Sequence, residues 1–141
     1  MDLLERAVIG TPHIAGYSLD GKTNAVQMVY NTVCGFLDTK PGWVLQVDKL
    51  PLPEACTIEV PRGWSPEEEN LDWIVSRCYS ILADDRSLRA IMSLPVDERR
   101  AGFQKLRTRY RVRREFRATT LKGVRTADVG FLRSLGFTVV P

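Results

Sequence analysis

The single histidine, His13, stands in Gly10-Thr11-Pro12-His13-Ile14-Ala15-Gly16-Tyr17, directly ahead of a stretch with helical spacing. Histidine is the side chain whose ordinary pKa suits proton exchange near neutral pH. On a loop between a buried strand and a helix N-terminus it would sit at the carboxyl edge of the strands, where open α/β sheets hold their ligands. A lone histidine is more often structural than catalytic, and it is the setting that favours chemistry here. A second pattern overlaps it: Gly16-Tyr17-Ser18-Leu19-Asp20-Gly21-Lys22-Thr23 fits GxxxxGK[ST], in which backbone amides and a lysine cradle phosphates. Such a loop must follow directly from a buried strand, yet Gly10 and Pro12 interrupt the residues ahead of Gly16, and Val44 to Asp48 make a poor magnesium-binding strand. An ATPase is therefore the third-ranked reading. No two glycines are spaced two apart, so GxGxxG is absent and a complete dinucleotide-binding fold is excluded.

Other chemistry is thinly represented. Cys34, Cys56 and Cys78 form no CxxC pair, and an odd count fits a reducing compartment better than a disulfide framework. No metal site is expected. The N-terminus has acids at Asp2 and Glu5 and lacks a basic, then apolar, leader, so no signal peptide is expected; no stretch approaches the ~18 apolar residues of a membrane span. The cytoplasm is the expected location.

Charge is unevenly placed. Residues 1 to 98 carry 8 Lys/Arg against 15 Asp/Glu, whereas residues 99 to 141 carry 12 against 2. Arg99 to Arg117 alone holds 9 of the 20 basic residues, which raises a nucleic-acid partner. Phe103 and Tyr110 fall on the apolar stripe of that segment, so no aromatic interleaving suits base stacking. An acidic and a basic face meeting within or between chains is the favoured reading.

These residues need positioning elements. The chain of 141 residues, 44% hydrophobic, is long enough to hold one core without disulfides or metal. Ala7 to Ile9 reads as a short strand ended by Gly10 and Pro12. Val26, Val29, Tyr30, Val33, Phe36 and Leu37 recur at helical spacing, predicting a helix from Ser18 to Leu37. Pro41, Pro51 and Pro53 mark a linker. Thr57 to Val60 is a strand; Ser65 caps a helix expected from Pro66 to Ala83, followed by helices at Ser87 to Ser93 and Val96 to Tyr110. Glu115 to Leu121 is a strand, Thr126 to Leu135 a helix ended by Gly136, and Phe137 to Val140 a strand. The class is α+β, with helices packed on a small mixed sheet.

The quoted histidine segment resembles that of the D-2-hydroxyacid dehydrogenases. Its HIAGYxxxGK form is similar to one family among them, the erythronate-4-phosphate dehydrogenases. Leu50-Pro51-Leu52-Pro53-Glu54, Phe103-x-x-Leu106-Arg107-x-x-Tyr110-x-x-Arg113-Arg114-Glu115-Phe116 and Leu135-Gly136-Phe137 resemble that family's C-terminal dimerisation domain. The resemblance implies NAD-dependent oxidation of 4-phosphoerythronate to 3-hydroxy-2-oxo-4-phosphobutanoate, in vitamin B6 (pyridoxal phosphate) biosynthesis. It gives His13 the hydroxyl proton, puts Gly16 against NAD and Tyr17 against substrate.

It also implies three parts: residues 1–37, the C-terminal strand, loop and linking helix of a Rossmann-type nucleotide-binding domain; 38–56, a proline-rich linker; and 57–141, a dimerisation domain. The family's dinucleotide fingerprint, carboxylate-binding arginine and histidine-orienting glutamate lie upstream of Met1, so the chain by itself is expected to be inactive and to bind NAD weakly. The expected partner is a second copy, with Arg107, Arg113 and Arg114 pairing with Glu67 to Glu69 or with Asp84 and Asp85, and with some of Leu71, Ile74, Val75, Tyr79, Phe103, Phe131 and Leu132 left uncovered. The alternative is a non-catalytic dimeric or nucleic-acid-binding module built on the arginine-rich helix. Arg109, Arg111 and Arg117 have no counterpart in the resemblance.

Overall fold

The computed structural model describes residues 3–141. Three short strands, β1 (Thr57–Glu59), β2 (Thr120–Lys122) and β3 (Thr138–Val140), form a sheet in the order β1-β2-β3. Both pairings are parallel, so the sheet is not mixed as expected. Parallel neighbours require crossovers, and the sequence supplies them as helices. The helices are α1 (Leu3–Arg6), α2 (Leu19–Phe36), α3 (Glu68–Cys78), α4 (Ile81–Ile91), α5 (Val96–Thr108) and α6 (Thr126–Ser134). The expected order of strand, three helices, strand, helix, strand is present from β1 onward, and the class is α+β.

The alternation of β-strand side chains decides where the core lies. In register, Ile58, Leu121 and Val139 point to one face and are buried, while Thr57, Glu59, Lys122, Thr138 and Val140 on the other face are exposed. On the buried face Ile74 of α3, Val129 and Leu132 of α6, Trp64, Val124 and Phe137 complete the core. Phe116 stacks on Phe137 with ring centroids 4.5 Å apart. Gly136 follows α6 at φ 98°, a left-handed turn that favours glycine, and lets the chain reverse into β3.

Five expectations change. Ala7 to Ile9 is not a strand: it follows the single turn α1 and has no neighbouring strand to pair with. Helix α4 ties down the segment around it instead. Arg89 donates to the carbonyls of Leu4 (3.0 Å) and Ala7 (2.9 Å), and Gly10 N–H donates to Asp85 (2.8 Å). The helix expected from Pro66 to Ala83 is two, broken at Tyr79, whose backbone is extended (φ −157°, ψ 119°). Ser80 starts α4 as its cap, accepting from Ala83 N–H, and the Tyr79 hydroxyl reaches over to Asp84 (2.8 Å). The helix expected at Ser87 to Ser93 lies largely within α4, and Ser65 caps nothing; its hydroxyl donates to Glu67. The strand expected from Glu115 is a 3-10 turn (Phe116–Ala118) before β2.

Helix α2 stands apart from this core. Ser18 is its cap, its hydroxyl accepting from Gly21 N–H at 2.9 Å. Cys34 is buried, but Val26, Val29, Val33 and Phe36 are exposed. No helix among the described residues is long and apolar enough to cross a membrane.

Candidate functional site

Pro12 and Ile14 are buried and fix the loop ahead of α2, so the residue between them is forced outward. That residue is His13. Its backbone takes the left-handed conformation at φ 58°, uncommon for a residue with a Cβ and worth roughly 1 kcal/mol or more of strain. The imidazole is exposed and makes no hydrogen bond to a described residue, so it is open to a proton donor or acceptor arriving from outside. Gly16 is also left-handed (φ 68°), and a Cβ there would meet no atom within 4 Å, so the space in front of it is open.

Tyr17 is half-buried among cations and a second ring. The Lys22 ammonium lies 3.7 Å from its ring centroid, the Arg107 guanidinium 5.5 Å, and the Tyr110 ring 5.9 Å edge-on. Cations over an aromatic face are attracted by its quadrupole. The Arg107 Nε is buried without a hydrogen-bond partner.

What holds this loop on the body of the protein is Asp20, at the start of α2 and wholly buried. Its carboxylate accepts from Arg114 (2.8 and 3.2 Å), Arg117 (3.0 and 2.9 Å) and the Glu115 N–H (2.9 Å). Burial by itself raises a carboxyl pKa, but these donors outweigh it and bring Asp20 down to about 2. The Leu19 N–H donates to the Arg113 carbonyl at 2.8 Å, completing the clamp. Arg114 also donates to the Pro51 carbonyl at 2.6 Å, tying in the linker.

A second anchor is Asp84, which accepts from the hydroxyls of both Tyr79 (2.8 Å) and Tyr110 (2.7 Å). Burial first, and the bond to Asp84 next, raise the pKa of both phenols. Within the chain the arginines do not pair with the expected acids. Arg114 pairs with Asp20, Arg107 and Arg113 lie over tyrosine rings, and Asp85 pairs with Arg89. Arg117 has its account in Asp20. Sequence reasoning missed Asp20 altogether, because its partners are 94 and 97 positions away.

The GxxxxGK[ST] match does not make a phosphate loop. No strand precedes it, and the amides a phosphate would take are engaged: Tyr17 N–H with Ile14, Leu19 with Arg113, Gly21 with the Ser18 hydroxyl and Lys22 with the Ser18 carbonyl. Thr23 returns its hydroxyl proton to the carbonyl of Leu19 (2.8 Å). Among the described residues no cluster of His, Cys, Asp and Glu could hold a metal ion.

Comparison with known proteins places these residues. A family model described as "Domain of unknown function (DUF3410)" matches residues 50–136. The chain is 37% identical to the erythronate-4-phosphate dehydrogenase of Marinobacter nauticus over 96% of its own length and 35% of the relative's. It is 32% identical to that of Pseudomonas syringae pv. syringae (98% and 36%) and 33% identical to that of Yersinia pestis (98% and 35%). The chain therefore spans about a third of the length of the relatives it matches.

Dehydrogenase relatives suggest a nicotinamide cofactor, but the described residues do not build a site for one. The amides ahead of α2 are already bonded and no strand carries a phosphate loop, which leaves only an exposed edge at His13 and Gly16. With the histidine loop clamped onto a body whose residues 50–136 match that model, the chain belongs to the DUF3410 family, the C-terminal domain of erythronate-4-phosphate dehydrogenases.

Proposed function

We propose that this chain supplies the C-terminal third of a 4-phosphoerythronate dehydrogenase acting in pyridoxal phosphate biosynthesis, and that it serves there to join two subunits and to present one catalytic loop. The observation that carries the reading is the strained, outward His13 on a loop clamped to the domain through Asp20. A side chain held in a costly backbone conformation by buried neighbours is fixed in direction before any ligand arrives. His13 would take up the C2 hydroxyl proton, and the glycine at 16 keeps the space beside it clear for the nicotinamide cofactor, NAD in this reading. Tyr17, caged by Lys22, Arg107 and Tyr110, would meet substrate with its hydroxyl edge.

The homodimer rests on the sheet. A parallel sheet is ordinarily covered on both faces. Here one face is open, carrying Thr57, Glu59, Lys122, Thr138 and Val140, and Phe131 of α6 is 40% exposed. Of the apolar residues expected to stay uncovered, Ile74 and Leu132 are instead fully buried in the chain's own core. An isologous contact would repeat each pairing of the acidic and basic regions twice. We place the protein in the cytoplasm on its free cysteines.

Two experiments test the two halves of the reading separately. Replacing the corresponding third of the Marinobacter nauticus enzyme by this chain should retain NADH production from 4-phosphoerythronate, and His13→Ala in that chimera should abolish it while cofactor binding persists. Loss of turnover in a folded chimera carrying His13, or its survival without His13, would sink the catalytic half. Light scattering on the chain at micromolar concentration should give twice the 16.0 kDa chain mass. A persistent single-chain mass would sink the other half.

A further inference from the structure

Arg111 and Arg113 have no carboxylate partner among the described residues. They stand on the segment after α5, with guanidinium carbons 5.9 and 4.5 Å from the centroid of the Tyr79 ring. Neither guanidinium makes a hydrogen bond or an ion pair with a described residue. Both line a cleft of about 190 Å³ between that segment, the α3–α4 junction and the linker at Glu54. Ser76 and Ser80 also line it, the Ser76 hydroxyl donating to the Trp73 carbonyl and the Ser80 hydroxyl accepting from Ala83 N–H with its own proton still to give. Ser80 is the cap of the 11-residue α4, so the positive end of that helix opens on the same space.

The other charges around the cleft are spoken for or few. Arg114 is bound to Asp20 and the linker carbonyls, and Arg77 lies over the Trp73 ring while donating to the Trp73 carbonyl at 3.0 Å. Glu54 is the one carboxylate on the wall, facing four guanidiniums. Asp84, beneath Tyr79, already accepts from two phenols. The phenols are held protonated by burial and by that bond, so the Tyr79 ring stays neutral as the platform for the two arginines.

We propose that this cleft binds a small phosphomonoester, with the dianionic phosphate between Arg111 and Arg113 and its oxygens within reach of the serine hydroxyls. Arginine's planar fork suits phosphate bidentately, and stacking on a ring fixes the fork at little further entropic cost. The cleft is enclosed by three parts of the chain and holds a phosphate with a few carbons. An extended phosphodiester strand would need a groove open at both ends and bases stacked on exposed rings. The site does not use His13, Gly16 or Tyr17, and stands whether or not the dehydrogenase reading does.

The test is a titration of the full chain, labelled with ¹⁵N, with inorganic phosphate and separately with glycerol 3-phosphate, at constant ionic strength held by chloride. Saturable shifts in the millimolar range or tighter are expected at Ser80, Ile81 and Arg111 to Arg113. Arg113→Gln should weaken binding of both probes at least tenfold, as should Arg111→Gln. Shifts that do not saturate, or that map to Lys22 and Arg107 instead, overturn the proposal without any variant. So does a decathymidine strand that binds more tightly than glycerol 3-phosphate and is lost with the same two substitutions, since the arginines would then serve nucleic acid.

Discussion

Asp20→Asn removes the charge that joins α2 to the segment after α5. The Asp20 side chain is 0% exposed and Arg114 only 4%, so the substitution leaves a buried guanidinium without its counter-charge. Breaking a buried pair from one side costs ~3–5 kcal/mol. Arg114 keeps the carbonyls of Leu50 and Pro51, which places the expected loss near the lower end, ~3 kcal/mol. For a chain of this length that is a fall in Tm of about 10 °C.

Arg117→Ala, whose side chain is 43% exposed, should cost less than ~1 kcal/mol. Acid should reproduce the large effect in the unaltered protein. Asp20 titrates at about 2 when folded against 3.8 ordinarily, so the unfolded chain binds the proton more readily between those values. The corresponding ~2–3 kcal/mol is present above the ordinary carboxylate value near pH 4 and is lost as pH falls toward 2. Urea unfolding from pH 7 to pH 2.5, followed by tryptophan fluorescence, measures both effects. A loss below ~1 kcal/mol for Asp20→Asn at neutral pH, or an acid limb as steep in the variant as in the parent, would refute the clamp.

Tyr110→Phe should remove the latest-ionising phenol from an alkaline absorbance titration, because burial and then Asp84 hold that proton, and should cost ~1–2 kcal/mol by leaving Asp84 one donor short. ATP with magnesium should give no saturable rise in Tm, the amides after Gly16 being engaged; a rise that disappears with Lys22→Ala would show the phosphate loop to be real. Ser80→Ala should destabilise by about 1 kcal/mol in urea through the lost cap of α4, whereas Ser65→Ala should be close to neutral.

Periodicity found the elements better than their ends. The stripe from Leu71 to Leu82 keeps helical spacing straight through Tyr79, so no count of apolar residues could locate the break there. Its cause is a phenol reaching Asp84, a carboxylate that Tyr110 also holds from 26 positions away, joined by a new cap at Ser80. Ala7 to Ile9 failed in the opposite sense, since β-branched residues make a strand only where a neighbour offers hydrogen bonds. The histidine loop was legible because glycine, proline and histidine carry their conformational meaning locally. The clamp beneath it was not, because nothing within a window of twenty residues marks Asp20 as buried.

The wiring of the sheet sets an order of events during synthesis. Thr57 of β1 can pair only with Thr120 of β2, and Asp20 can be neutralised only by Arg114 and Arg117. Neither contact can form until most of the chain has left the ribosome, and contacts so distant along the chain close slowly. Throughout that interval the residues of α2 are already synthesised, and Val26, Val29, Val33 and Phe36, which face outward even in the folded chain, have no core to join. The nascent chain thus carries an adhesive segment well before it has a core, which makes elongation past Lys122 the step that separates productive folding from capture by a chaperone or by another unfinished copy.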